Sequence, residues 1–168
     1  MTSKARWFWP LALTLLFTDC ATKRAVEHRL AVGEPKPVVG EVVRFTLSYN
    51  TNAAMGLQVG GQSRRVVLSA LTIAALLVLG LLYHRTRSSE RLRLIGVALV
   101  AGGALGNLVD RIRSSAGVVD FIDVGVKHVR FWTFNVADMG ITAGAVLLLL
   151  ALGWKTHGRA LSGSPQIP

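Results

Sequence analysis

The apolar positions of this chain gather into four long blocks, and most polar positions fall between them. A bilayer crossing needs about 20 apolar residues. The blocks run from Trp7 to about Val26, Val66 to Tyr83, Leu92 to Val109 and Phe134 to Trp154. The second holds no charge, the third has Arg93 at its start, and the fourth holds only Asp138. A long basic side chain at a helix end can snorkel to the interface, so Arg93 does not exclude the third block. The pattern predicts an all-α integral membrane protein of four transmembrane helices, forming one domain over residues 1–168.

Between the first two blocks the period changes. Gly33-Glu34-Pro35-Lys36-Pro37 is a run of helix and strand breakers. Then Val43, Phe45, Leu47 and Tyr49 alternate with Arg44, Thr46, Ser48 and Asn50. That is strand spacing with one apolar face. Val118 to Val124 and Val129 to Thr133 read as further short strands. A small extracytoplasmic β-sheet cradle on the outer leaflet, centred on about residues 33–60, accounts for them. Gly102-x-x-x-Gly106 and Gly140-x-x-x-Gly144 read as close-packing sites between helices.

Composition sharpens this picture. Of 168 residues, 51% are apolar and 17% charged, with a mean hydropathy of +0.46. Those values exclude a disordered chain, and a single cysteine excludes a disulfide scaffold. A net charge of +10 would suggest nucleic acid in a polar protein. Beside this hydropathy it points instead to loops facing anionic lipid, with no nucleic-acid partner. With four spans both termini share a side, together with Lys4, Arg6, Arg85, Arg87, Arg91, Arg93, Lys155 and Arg159. The other side holds more basic residues, but spread over a much longer stretch of chain. Density near span ends is the better guide, so both termini are placed in the cytoplasm. The first block could alternatively be a cleaved signal peptide with Lys4 and Arg6 as its basic end. No small-x-small site follows it, and Asp19 before Cys20 rules out a lipoprotein acceptor. Cys20 reads as a small packing residue.

Ionisable groups at membrane depth are costly and mark a functional site by default. Here they collect at the outer ends of the blocks. Asp19, Thr22 and Lys23 share one helix face, and Asn107, Asp110 and Arg111 repeat that spacing. The Asp19–Lys23 pair reads as structural. An Arg beside an Asp suggests a fixed Asp110–Arg111 pair, a poor proton carrier. Asn135 is a good N-cap, and Asp138 in the following turn suits the helix dipole. Asp120, within Val118-Val119-Asp120-Phe121-Ile122, has no evident local partner. The four histidines lack metal-ligand spacing, and no serine, cysteine or phosphate-binding motif is present. Two carboxylates, Asp120 and Asp138, remain as candidates for acid–base chemistry. Carboxyls sharing a site split their proton affinities, so one can hold a proton while the other is a base.

Five segments in order resemble the bacterial lipoprotein signal peptidases (signal peptidase II). They are Asp19-Cys20-Ala21-Thr22-Lys23, Asn50-Thr51-Asn52-Ala53-Ala54-Met55-Gly56, Gly106-Asn107-Leu108-Val109-Asp110-Arg111, Val118-Val119-Asp120-Phe121 and Phe134-Asn135-Val136-Ala137-Asp138. The resemblance implies an intramembrane aspartyl endopeptidase of the bacterial inner membrane. It would cut prolipoproteins just before a diacylglyceryl-modified cysteine, using no metal or cofactor. It places the catalytic aspartates on Asp120 and Asp138. Further site residues fall on Asp19, Lys23, Asn50, Asn107, Asp110, Arg111, Asn135 and Ala137. Asn107 and Arg111 are expected to bind the substrate backbone or lipid ester. The expected partners are the prolipoprotein and membrane lipid, with the enzyme acting as a monomer. Asn52, Met55, Cys20 and Thr133 depart from the family's usual residues, which bears on the outer loop rather than on the dyad.

Two rival readings are a non-enzymatic transporter or assembly factor, and an anion-binding membrane protein using Arg85 to Arg93. Neither explains why acids and amides gather at one depth. The orientation is tested by single cysteines at Ser88 and Gln62 in a Cys20→Ala background. They should react with impermeant reagents from opposite sides, and labelling of position 88 from outside intact cells would reverse the topology.

Overall fold

The computed structural model describes residues 3–50 and 64–161, with side chains through Leu152. The four apolar blocks form four helices: α1 (Ala5–Arg29), α2 (Arg64–Arg85), α3 (Arg91–Arg113) and α4 (Val136–Leu161). By length and composition α2 and α3 can each cross a bilayer, whereas the apolar stretch Val136–Leu152 of α4 is shorter. α1 falls outside that class, its apolar run being interrupted by Asp19, Lys23 and Arg24.

α3 is the axis of the bundle, packed against α1, α2 and α4. Its buried positions are dominated by small residues, including Gly96, Ala98, Ala101, Gly102, Gly103, Ala104 and Gly106. Small residues let helix backbones approach where lipid supplies no hydrophobic drive between them. The predicted glycine repeats sit at these contacts. A Cβ on Gly102 would lie 2.6 Å from the Ala12 carbonyl oxygen, and one on Gly144 2.7 Å from that of Gly96. Gly103 meets the Ala137 carbonyl more closely still. α2 differs: it packs on α3 and buries only Leu68.

The sheet is antiparallel, ordered β1-β2-β3-β4: β1 (Pro35–Val39), β2 (Val43–Asn50), β3 (Val118–Val126) and β4 (Val129–Arg130). The alternation in β2 turns Phe45, Leu47 and Tyr49 onto a core with Val26, Val119 and Phe121. Two expectations need correction. The breaker run is followed into a strand, because β1 is a wholly exposed edge where a missing proline N–H costs little. β4 also stops at Arg130: past the Phe131 N–H, which donates to Val124 O at 2.8 Å, the chain leaves the ladder, and Phe134 rejoins as an isolated bridge to Ile122. The part of the expected β region at 51–60 lies outside the described residues. The β2–β3 pairing joins the segment after α1 to the segment before α4, so it brings the ends of three helices together.

Gly103→Val should force α3 from α4. A loss of ~1–3 kcal/mol or more is expected from overpacking. It would be read as a lower Tm in detergent. Gly80→Ala, inside α2 where an added Cβ meets nothing within 4 Å, is the control and should not lower Tm, since alanine favours a helix interior over glycine.

Candidate active site

The polar residues collected from the sequence meet where the C-terminal ends of α1 and α3, the start of α4 and strand β3 converge. Asp120 lies on β3 and is 2% exposed. The Phe121 and Ile122 N–H groups both donate to the Phe134 carbonyl, at 3.0 and 2.8 Å, and Phe134 N–H returns to Ile122 O at 3.1 Å. Two successive donors on one acceptor make a β-bulge. It seats the residue after Phe134, Asn135, against Asp120.

Asn135 is the cross-link. Its Oδ1 accepts the Asp138 N–H at 2.9 Å, and its own N–H donates to Asp138 Oδ2 at 3.3 Å. This reciprocal cap opens α4 as the sequence predicts. Its Nδ2 donates to Asp120 Oδ1 at 2.6 Å, and also to Asn107 Oδ1 and Val119 O. Asp120 therefore has partners the local sequence did not reveal, the second being Asn50, whose Nδ2 donates to Oδ2 at 3.0 Å. Asp138 Oδ1 accepts from Asn107 Nδ2 at 2.9 Å. Burial pushes the Asp120 carboxyl up to about 6; the nearby Asp138 charge adds to this, while the Asn50 and Asn135 hydrogen bonds and Lys23 oppose it.

Behind the pair, Lys23 is 1% exposed; its ammonium is ion-paired with Asp19 Oδ2 at 2.7 Å and Asp110 Oδ2 at 2.9 Å and donates to Asn107 Oδ1 at 2.9 Å. The Asp19–Lys23 pair is as expected, but Thr22 is not part of it and donates back to Thr18 O. Asp19 Oδ1 accepts the Ala137 N–H at 2.8 Å, which gives Ala137, fully buried, a backbone role. The expected Asp110–Arg111 pair is replaced. Asp110 binds Lys23 and Arg113 and accepts the Val119 N–H at 3.2 Å, whereas Arg111 donates to Asn107 O and lines the cavity. Neighbours on a helix diverge, and i, i+3 pairs meet.

Asp120, Asp138, Asn50, Asn107 and Arg111 line a cavity of about 1320 Å³. Its other walls are apolar: Leu68, Leu71, Ala75 and Leu79 of α2, and Met139 and Ile141 of α4, with Phe131 to Phe134 at one edge. Asp123, three residues from Asp120, is tied elsewhere, accepting from Arg44, Thr46 and Arg130. Burial would raise its carboxyl, but those hydrogen bonds outweigh it and hold it below the usual range. Cys20 is a half-buried free thiol.

A buried carboxylate and a half-buried one, bridged by carboxamides and facing one cavity beside a helical bundle, are the arrangement of an aspartic-type hydrolase. A sequence model of the family described as signal peptidase (SPase) II matches residues 11–154, and the chain belongs to that family. It is an aspartic endopeptidase that removes signal peptides from prolipoproteins. A lipoprotein signal peptidase of Coxiella burnetii (strain RSA 493 / Nine Mile phase I) is 37% identical over 156 residues, covering 89% of this chain and 93% of the relative. One from Treponema denticola is 35% identical over 168 residues, covering 92% and 97%. A bacterial membrane enzyme solved by the in meso method at 2.3 Å superposes with a TM-score of 0.80 at 26% identity, over 94% of this chain and 92% of that one.

The Asp123 cluster gives a pH-dependent prediction. A carboxylate whose proton affinity is lowered by folding stabilises the fold above its unfolded pKa of about 3.9, and this is lost as pH falls through the folded value. Asp123→Asn should cost ~2 kcal/mol at neutral pH. In thermal melts its deficit relative to wild type should close as the pH is lowered below about 4.

Proposed function

We propose that the chain is a one-domain peptidase whose four helices cross the bacterial inner membrane, with both termini cytoplasmic. It acts as a monomer on diacylglyceryl-modified prolipoproteins. The outward residues of α1 and α4 support four crossings. Trp9, Leu13 and Phe17 on α1, and Val146, Leu149, Leu150 and Leu152 on α4, are large, apolar and exposed. Surfaces of that extent need lipid or a partner. The charges of α1 at Asp19 and Lys23 are turned inward. The apolar walls between α2 and α4 suit acyl chains, and the polar end of the cavity suits the peptide.

Asp120 and Asp138 are the catalytic pair, and the observation that carries this is Asn135, which binds both. When the pair carries a single proton it sits on Asp120, because burial makes the charged form of that carboxyl costly. Asp138 accepts a proton from water as the water oxygen attacks the scissile carbonyl carbon. Asp120 gives its proton to the carbonyl oxygen. The tetrahedral intermediate then collapses: the C–N bond breaks, the proton on Asp138 passes to the leaving amine, and one hydroxyl of the intermediate returns its proton to Asp120 as the carboxylic acid product forms. Asn135 and Asn107 hold Asp138, and Asn50 holds Asp120. Arg111, lining the cavity, binds the substrate backbone or lipid ester.

Asp120→Asn and Asp138→Asn should each abolish cleavage of a diacylglyceryl-modified prolipoprotein, since an amide can neither take nor give the proton. A carboxyl whose folded pKa lies above its unfolded one favours the fold fully at low pH, and that advantage is lost as pH rises through about 6. In thermal melts the Tm of wild type relative to Asp120→Asn should therefore fall as pH rises from about 4 through about 6. Substantial turnover by Asp120→Asn would end the dyad assignment.

A further inference from the structure

We propose that Lys23 is a positioning residue that sets the two aspartates relative to each other. This rests on the dyad reading but assigns a role outside it. Three contacts carry the argument, and each leads to a catalytic group. Asp19, ion-paired to Lys23 at 2.7 Å, accepts the N–H of Ala137, the residue before Asp138. Asp110, paired at 2.9 Å, accepts the N–H of Val119, the residue before Asp120. Asn107 Oδ1 accepts from the Lys23 ammonium.

The third contact also fixes an orientation. An ammonium has only donors, so it must face the oxygen of the Asn107 carboxamide. The NH₂ group then points to Asp138 Oδ1. One buried cation thus grips the backbone ahead of each aspartate and aims a donor at one of them. A change at Lys23 moves both carboxylates at once, although Lys23 itself does not line the cavity. Its charge also lowers the proton affinity of Asp120. The groups facing Lys23 are Asp19, Asp110 and Asn107, with Arg113 on the far side of Asp110.

The test is full-length enzyme in detergent micelles, assayed on a diacylglyceryl-modified prolipoprotein, with Lys23→Met, Lys23→Met/Asp110→Asn and Asp110→Asn. The double variant restores the charge balance that the single one breaks. Misplacing reacting groups by about 1 Å costs on the order of 100-fold. Folded Lys23→Met and the double variant should lose about that much in kcat, with KM within about threefold. The alkaline limb of kcat/KM should move to higher pH in both, since the cation that favours Asp120 ionisation is gone. A folded variant with wild-type kcat and an unmoved limb overturns the proposal. If neither Lys23 variant accumulates, Asp110→Asn decides. It keeps the ammonium and loses one grip, and should lower kcat at unchanged KM, whereas wild-type kcat overturns the assignment. Asp120→Asn and Asp138→Asn run beside them separate the two ideas. Turnover there defeats the dyad, while inactivity there with a normal Lys23→Met defeats only the positioning role.

Discussion

The site depends on one costly act, the burial of an ammonium ion. An unpaired charge taken from water costs several kcal/mol even after relaxation. Lys23 is 1% exposed, and its ammonium is ion-paired with two carboxylates and donates to one amide oxygen. The two carboxylates exceed the single positive charge, and Arg113 meets the excess at Asp110. Every remaining oxygen of Asp19 and Asp110 is then used on a backbone N–H or a basic group. Ions in this setting tolerate little displacement, because any shift leaves a buried charge short of a partner. The rigidity needed around two carboxylates follows from that intolerance.

Close helix packing is the second condition, and the two are linked at one residue. Gly106 faces Asp19, and a Cβ there would stand 2.5 Å from Asp19 Oδ2. α1 can therefore bring its carboxylate to α3 and α4 only because α3 presents hydrogen there. The same economy recurs at Gly102 against Ala12 and at Gly103 against Ala137. Small residues are thus concentrated on α3, the helix around which the other three pack.

Much of this was legible in the sequence wherever partners are close along the chain. The Asn135–Asp138 cap and the Asp19–Lys23 pair lie within one helical turn, and both were read from spacing. The four helices followed from their apolar blocks, and β2 from its alternation. What spacing missed were contacts across the fold. Lys23 to Asp110, and Asp123 to Arg44, connect residues far apart in sequence, and nothing local marks them. Adjacency misled at Asp110–Arg111, because side chains one residue apart on a helix point about 100° apart. The pairing of Asn50 with Asp120 was likewise hidden, since a polar residue at a strand end has many ordinary explanations. The prolines of β1 concealed a strand because an edge forgives them.

The exposure of α2 completes the physical argument. In a water-soluble bundle a helix burying one residue would be a defect, since it contributes little to the core. Here Leu71, Leu77, Val78 and Leu81 are exposed on α2, and the cavity lies against its Leu68, Leu71, Ala75 and Leu79 side. Lipid is as apolar as leucine, so the bilayer sets no penalty on that looseness. A helix held mainly by α3 leaves an apolar wall open beside the carboxylate pair. Peptide hydrolysis needs water and charge, and a lipid-modified substrate needs hydrocarbon. The bundle meets both by confining its ions to the junction of α1, α3, α4 and β3, and leaving α2 to face the hydrocarbon.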